Sequence, residues 1–365
     1  MEHRIKDVEV YYLSTDECAG VGDSTLNFAR APLVVVRVIT DQGLDGFGLA
    51  CQEEVDDLIQ KKLKPVILGR NPMYTEDLWQ QMFMAIRGAG RKGLSMVGLS
   101  LVDLALWDLK GKILNQPIHR LLGSEKRLIP TYASGGWTSY SQETLLAEMK
   151  SFVDLGYSTI KMKVGVDGGR NIREDARRVR AVRDLIGPEV DLIIDANNVW
   201  DSSTAVRFAE MVRDCDLAAF EEPVCADDIP GLARIRKAIN IPLATGEHEY
   251  TKYGLRDLVL GRAVDIVQLD GTKSGGLTEM LKISGMVQAW NLLLAPHCYE
   301  VMHMHLMSAA PNAFKLEKLF LFNGLMPKIV KNYPVPVQGL LEIPDLPGHG
   351  LIYDLDWIRA SNENK

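Results

Sequence analysis

Asp191-Leu192-Ile193-Ile194-Asp195 is an apolar run that ends on a carboxylate, and the chain repeats that plan on both sides of it. Ala218-Ala219-Phe220-Glu221 reaches its carboxylate 26 residues after Asp195, and Pro242-Leu243-Ala244-Thr245 leads to Glu247 after another 26. Asp270 follows at an interval of 23, His297 at 27 and Glu317 at 20. Upstream, Thr159–Lys163 closes on Lys161 and Lys163, and Ile129–Ser134 opens the series. With Asp265–Leu269, Leu292–Ala295 and Ala313–Glu317 the runs number eight. Spacers such as Gln142–Leu155, Ile172–Leu185, Ser203–Arg213 and Leu277–Ala289 carry apolar residues at helical spacing. Strand–helix alternation of this kind gives parallel strands joined by right-handed crossovers. Eight such units make a TIM-type α/β barrel, whose active sites form at the C-terminal strand ends. The charged residues recur at that height.

The first 125 or so residues read differently. Val8–Leu13 and Leu33–Thr40 are strands, Gly43-Leu44-Asp45-Gly46 is a turn, and Phe47–Cys51 is a return strand. Glu53–Leu68, Thr75–Ile86 and Leu94–Lys112 read as helices, the last apolar or small on nearly every side. We therefore divide the chain into an α+β segment over 1–125 and a barrel over 126–329. The Pro- and Gly-rich stretch from about 330 to 365 is expected to return to the first segment and to end in a loose polar tail.

Asp195, Glu221 and Glu247, from adjacent strands, form an all-oxygen set that suits Mg²⁺. Asp270 can hold the imidazole of His297 in one tautomer and raise its basicity. Lys161 and Lys163 share a strand face, and each ammonium is expected to lower the pKa of the other, as a lysine base needs. A carboxylate after one strand reads equally well as a helix N-cap. Three at successive strand ends, followed by a His–Asp pair, do not.

This set resembles the mandelate racemase subgroup of the enolase superfamily. The resemblance rests on Lys161-Met162-Lys163, Asp195-Ala196-Asn197, Glu221-Glu222-Pro223, Thr245-Gly246-Glu247, Gly275-Gly276, His297 with Asp270, and Glu317. Ala105-Leu106-Trp107-Asp108-Leu109-Lys110-Gly111-Lys112 and Leu121-Leu122-Gly123 extend it over the first segment. It implies a (β/α)7β barrel capped by an α+β domain built from both ends of the chain. It also implies Mg²⁺-dependent removal of the proton alpha to a substrate carboxylate, through an enediolate. In that scheme Lys163 and His297 face opposite sides of the α-carbon, while Lys161 and Glu317 bind the carboxylate. Asn197, His248, Trp137 and Tyr299 are weaker substrate-contact candidates, with Tyr140 and Glu300 behind them.

Dehydration of a sugar acid to a 2-keto-3-deoxy acid is the preferred outcome, since polar His248 and Glu249 beside the metal suit a hydroxylated substrate. Racemisation or epimerisation of a 2-hydroxy acid needs the same residues. Lys273, near the end of the sixth strand, raises a cycloisomerase alternative, although such relatives carry Asp at the third ligand and lack the His dyad. A non-catalytic binding barrel has no use for an intact set of ligands and bases. A net charge of -7 argues against nucleic-acid or anionic-membrane partners. No apolar run approaches the roughly 20 residues of a membrane span. Five scattered Cys without a CxxC pair, and a start lacking an apolar leader, point to the reduced cytoplasm. A small-molecule carboxylate is the expected partner, and a homo-oligomer the expected assembly.

Overall fold

The computed structural model describes residues 2–362. β1 (Ile5–Thr15), β4 (Ala31–Thr40) and β5 (Asp45–Ala50) form an antiparallel sheet in the order β1-β4-β5. Between them lies a short hairpin, β2 (Val21–Gly22) with β3 (Asn27–Phe28), which the sequence pattern did not announce. The helix Leu94–Ile113 packs on β5 so closely that a Cβ on Gly48 would lie 2.3 Å from the carbonyl oxygen of Leu101. The unbroken apolar run Leu33-Val34-Val35-Val36, buried on both faces of β4, matches its placement under a helix and beside the rest of the cap.

The barrel strands are β6 (Leu128–Gly135), β7 (Thr159–Lys163), β8 (Asp191–Asp195), β9 (Leu217–Glu221), β10 (Leu243–Thr245), β11 (Ile266–Val267), β12 (Leu293–Leu294) and β13 (Leu316–Leu319). They pair in parallel along the path β12-β11-β10-β9-β8-β7-β6-β13. The ring closes where Leu294 bridges Ala313, just ahead of β13. There Leu294 N donates to Asn312 O at 3.0 Å and Phe314 N to Leu294 O at 2.8 Å. Helices follow each of the first seven strands, including Gly276–Ala289 after β11 and Glu300–Ala309 after β12, so the fold is a (β/α)7β barrel. A short antiparallel strand, β14 (Leu340–Glu342), adds to the edge of β6.

Side chains alternate across the strands, and the register fixes which ones meet inside. Lys161 pairs with Ile193, and Lys163 with Asp195, which pairs with Glu221. Ile193, Ala219, Ala244, Ile266, Ala295 and Tyr132 fill the lower interior. One pleat higher, the apolar filling gives way to a charged layer.

The C-terminal segment returns to the first sheet. Phe47 stacks on Tyr353 at 4.1 Å, and Asp108 accepts from both Phe47 N and His349 N. The expected loose tail is corrected in part. Leu355–Ser361 is a helix started by the Asp354 side chain, and Asn362 Oδ1 accepts from Tyr12 N at 2.9 Å. The remaining tail positions, 363–365, lie outside the described residues. No helix among the described residues is long and apolar enough to cross a membrane.

Cap and barrel are joined at the turn that carries the strand-six loop. Trp79 Nε1 donates to Gly275 O at 2.7 Å, Gly275 N to Ser100 Oγ at 2.8 Å, and Trp107 Nε1 to Thr278 Oγ1 at 2.8 Å. Asp103 accepts from Thr278 N and Oγ1, and burial lifts its pKa to about 7. Gly276 has φ +71°, and a Cβ there would sit 2.4 Å from Asp103 Oδ2. Gly276→Ala should therefore cost about 2–3 kcal/mol through strain and overpacking, read as a lower urea midpoint at unchanged slope.

Candidate active site

The charged layer lies at the C-terminal mouth of the barrel. Lys161, fully buried, donates to Glu221 Oε1 and Oε2 at 2.8 and 2.9 Å, pairs with Glu317 Oε1 at 2.8 Å, and stands 3.5 Å from Asp195 Oδ2. Lys163 donates to Asp195 Oδ2 and lies over the Trp137 ring. Burial pulls both lysines down, yet both end above the ordinary lysine value, because Glu221 and Glu317 hold Lys161 and Asp195 holds Lys163. This corrects the expected lowering. Lys161 does push Lys163 down, but the carboxylates outweigh it.

Across the mouth, His297 Nδ1 meets Asp270 Oδ2 at 3.0 Å. The other Asp270 oxygen accepts from Thr272 N and Oγ1 at 2.8 and 2.7 Å. Burial opposes ionisation of Asp270, but the His297 hydrogen bond and the Lys273 charge hold it well below the usual carboxylate range. An ionised Asp270 accepts, so His297 carries a proton on Nδ1 and presents Nε2 to the cavity. Burial lowers the His297 pKa, and Glu247 and Asp270 more than restore it, leaving it above the ordinary value. Nε2 is 3.3 Å from Glu247 Oε2 and 3.1 Å from Cys298 Sγ. His303 supports the dyad from behind: its Nε2 accepts from Gly271 N at 2.9 Å while Nδ1 meets Cys298 O at 2.8 Å.

A cavity of about 350 Å³ opens over these groups, and Lys163, Asn197, Glu247, His248, His297, Tyr299 and Trp137 all line it. Its roof is the β2–β3 hairpin, pinned to the barrel loops. Ser24 Oγ donates to Ala196 O at 2.6 Å, Thr138 Oγ1 to Gly22 O at 2.9 Å, and Phe28 meets Trp137 edge-on at 5.8 Å.

Two family models cover most of the chain: the mandelate racemase/muconate lactonizing enzyme N-terminal domain over residues 19–123, and the enolase C-terminal domain-like family over 144–357. The chain belongs to the mandelate racemase subgroup of the enolase superfamily. An arabinonate dehydratase of Saccharolobus solfataricus is 33% identical over 95% of this chain and 96% of its own length. An L-talarate/galactarate dehydratase of Salmonella typhimurium is 32% identical over 76% of this chain and 71% of its own. A racemase of Streptomyces coelicolor A3(2), solved with bound magnesium, superposes with a TM-score of 0.91 at 28% identity, covering 98% of this chain and 99% of that one.

Of the subgroup's residues expected from sequence, Lys161, Lys163, Asp195, Glu221 and Glu317 come together in one ion-pair network. Glu247 stands apart from Asp195 and Glu221: its ligand oxygens gather with Glu222 and His248 within 4.8 Å, and it reaches toward His297. Tyr299 lines the cavity but spends its hydroxyl accepting from Cys51 N at 2.6 Å, which ties the barrel mouth to the end of β5. Glu300 is corrected, since it is engaged by Lys318 at 2.8 Å and by Tyr333, and Tyr140 turns to Glu148. Glu222 was not among the expected site residues, although its place beside Glu221 was a usable signal. Buried Glu222 accepts from Asn198 Nδ2 at 2.7 Å and lifts His248 to about 9. Cys298, beside His297, carried the same signal; the roof residues carried none, because spacing along the barrel says nothing of which cap loop arrives above it.

The donor set fits a hard divalent cation. Asp195, Glu221, Glu222, Glu247, Asp270 and Glu317 are all buried at this rim, against Lys161, Lys163 and Lys273 and the imidazoles of His248 and His297. Carboxylates buried so close together are costly unless cations offset them. Burial and Asp195 together push the Glu221 pKa well up, as crowded carboxylates require. Asn197 Oδ1, beside the cavity, is buried without a partner. Adding Mg²⁺ should therefore raise Tm, by about 2.7 kcal/mol of stability at a hundred times Kd, and Asp195→Asn or Glu247→Gln should remove most of that gain. For the dyad, Asp270→Asn removes an anion that favours the imidazolium. The His297 pKa should then fall, read by NMR titration as a midpoint at lower pH than in the parent protein.

Proposed function

We propose that the chain is a Mg²⁺-dependent lyase that removes the proton alpha to the carboxylate of a sugar acid and expels the β-hydroxyl, giving a 2-keto-3-deoxy acid. One observation carries this reading. Lys163 from β7 and the His297–Asp270 dyad after β12 line one cavity, with three strand steps between them one way round the barrel and five the other. A substrate between them meets a proton-transfer group on each side. Asp195, Glu221 and Glu247 would hold the Mg²⁺, which supplies Lewis-acid stabilisation of negative charge on the substrate carboxylate.

Lys161 and Glu317 would bind the substrate carboxylate: Glu317 lines the cavity, and Lys161, buried behind it at 2.8 Å, supplies a fixed positive charge. Lys163 or neutral His297 takes the α-proton. The β C–O bond then breaks as protonated His297 gives its proton to the leaving hydroxyl, which departs as water. The Asp270 partnership and the raised pKa support that acid role, because both favour the imidazolium. Protonation of the resulting enol at C3 yields the keto acid. The same two-sided arrangement supports a second reading, inversion at the α-carbon, when no β-hydroxyl is within reach.

We also infer a reducing cytoplasmic setting, supported by five cysteines that are all free. A homo-oligomer belongs to the same proposal, supported by exposed Val335 and Val337 beside Leu128 and Leu340.

With Mg²⁺ and a panel of aldonic and aldaric acids, semicarbazide should detect a 2-keto acid. Lys163→Ala and His297→Asn should each lower turnover at least about 10²-fold while the Mg²⁺-dependent gain in Tm persists. Inversion without keto acid would replace dehydration by racemisation, and full activity in both variants would move the chemistry elsewhere.

A further inference from the structure

The site's chemistry fixes one end of the substrate, and the rest of the cavity describes the other end. The cationic groups facing the cavity are Lys163, Lys273, His248 and His297, and each stands against a carboxylate of the rim. Lys163 and His297 belong with the reacting end, Lys273 is held by Asp270 there, and half-exposed His248 is already held by Glu222 at 3.4 Å and Glu247 at 3.6 Å. Toward the mouth the lining changes character. Leu319 is two residues beyond Glu317 on the same strand, so it lies one step higher on the same face. Leu321 and Phe322 continue that wall, while Leu26 and Phe28 face the cavity from the hairpin.

Leu26 is 59% exposed, a large apolar side chain left open beside the cavity. The charged residue that the hairpin adds to the lining is Asp23, whose Oδ1 already accepts from Thr25 N and Leu26 N at 2.7 and 2.8 Å. Arg30, the cation nearest in sequence, is exposed, donates to Glu53 at 2.7 Å and is not among the lining residues.

A substrate with a second carboxylate would bring it against this apolar ring and Asp23. It would lose water there and meet no cation not already held by a rim carboxylate, and burying an unpaired carboxylate is strongly unfavourable. An uncharged end carrying a methyl group would instead cover apolar surface. Taking the sugar-acid reading above as its basis, we propose that the substrate is a monocarboxylic aldonic acid with an apolar, deoxy terminus, selected against aldaric diacids by the Leu26–Phe28–Leu319–Leu321–Phe322 wall. The cavity is at the small end of the range for ligand pockets, which suits a chain of about five or six carbons.

Matched sets of the aldonic acid, its terminal deoxy analogue and the aldaric acid, in the galacto, manno and gluco configurations, test this. Each is assayed with Mg²⁺ for α-proton exchange in D₂O and for kcat/KM. In the configuration accepted, the deoxy acid should exceed the aldonic acid at least about fivefold, because the aldonic acid buries a terminal hydroxyl without a partner. The aldaric acid should fall at least about 100-fold below both. Leu321→Arg, which places a cation in the wall, should raise the aldaric-to-aldonic ratio at least about tenfold. An aldaric acid turned over as well as its aldonic partner overturns the selectivity and leaves the sugar-acid reading standing. Absence of α-proton exchange with every acid of the panel overturns both.

Discussion

Everything at the mouth of this barrel depends on how a crowd of buried carboxylates is offset. Six carboxylates from the strand ends are buried there together, and three lysines and two imidazoles, His248 and His297, face them. In a low-dielectric interior neither the attraction nor the repulsion is well screened. Each lysine is therefore bound to the carboxylates around it, and Glu221 is held toward its neutral form by Asp195. The same charges that make the layer attractive to a cation keep Lys163 protonated while Asp195 faces it. Withdrawing Asp195 from Lys163 removes the attraction that opposes its role as a base.

The barrel was legible because its interior repeats. An apolar run closing on a charged residue can be recognised at each turn of the series, and the ends of β7 and β8 were read to the residue. Short strands were less well bounded. Asp265–Leu269 and Leu292–Ala295 keep only two ladder residues each, although backbone bonds such as Gln268 N to Thr245 O and Ala295 N to Val267 O continue the pairing beyond them. The identity of the charged layer was also legible, yet its electrostatic state was not. The Lys161–Lys163 repulsion is a neighbour effect visible in sequence, whereas the carboxylates that reverse it come from β8, β9 and β13, the last of them at the far end of the barrel sequence. The β2–β3 hairpin was invisible for a related reason. Two-residue strands carry no periodicity, and Val21–Phe28 is ordered by Ser139, Thr138 and Ala196 as well as by its own Asp23 turn.

The cap is not an independent lid. Trp79, Ser100, Asp103 and Trp107 all bond to the turn at Gly275–Thr278, a few residues beyond Asp270 and Lys273. Tyr299, two residues after His297, bonds back to Cys51 at the end of the cap sheet. The dyad is thus framed on both sides by contacts to the first segment of the chain. His303 adds a third support, since its fixed tautomer holds Gly271 N and Cys298 O at once.

The hairpin roof has a different standing. It touches the barrel through a handful of hydrogen bonds to loop backbone and through one aromatic edge, and it contributes no member of the charged layer. Mutational drift in its tip can reshape what the mouth admits without disturbing the machinery beneath. An ancestor with the same floor could have given rise to descendants that differ in diet alone, and the place to look for that divergence is residues 23 to 28.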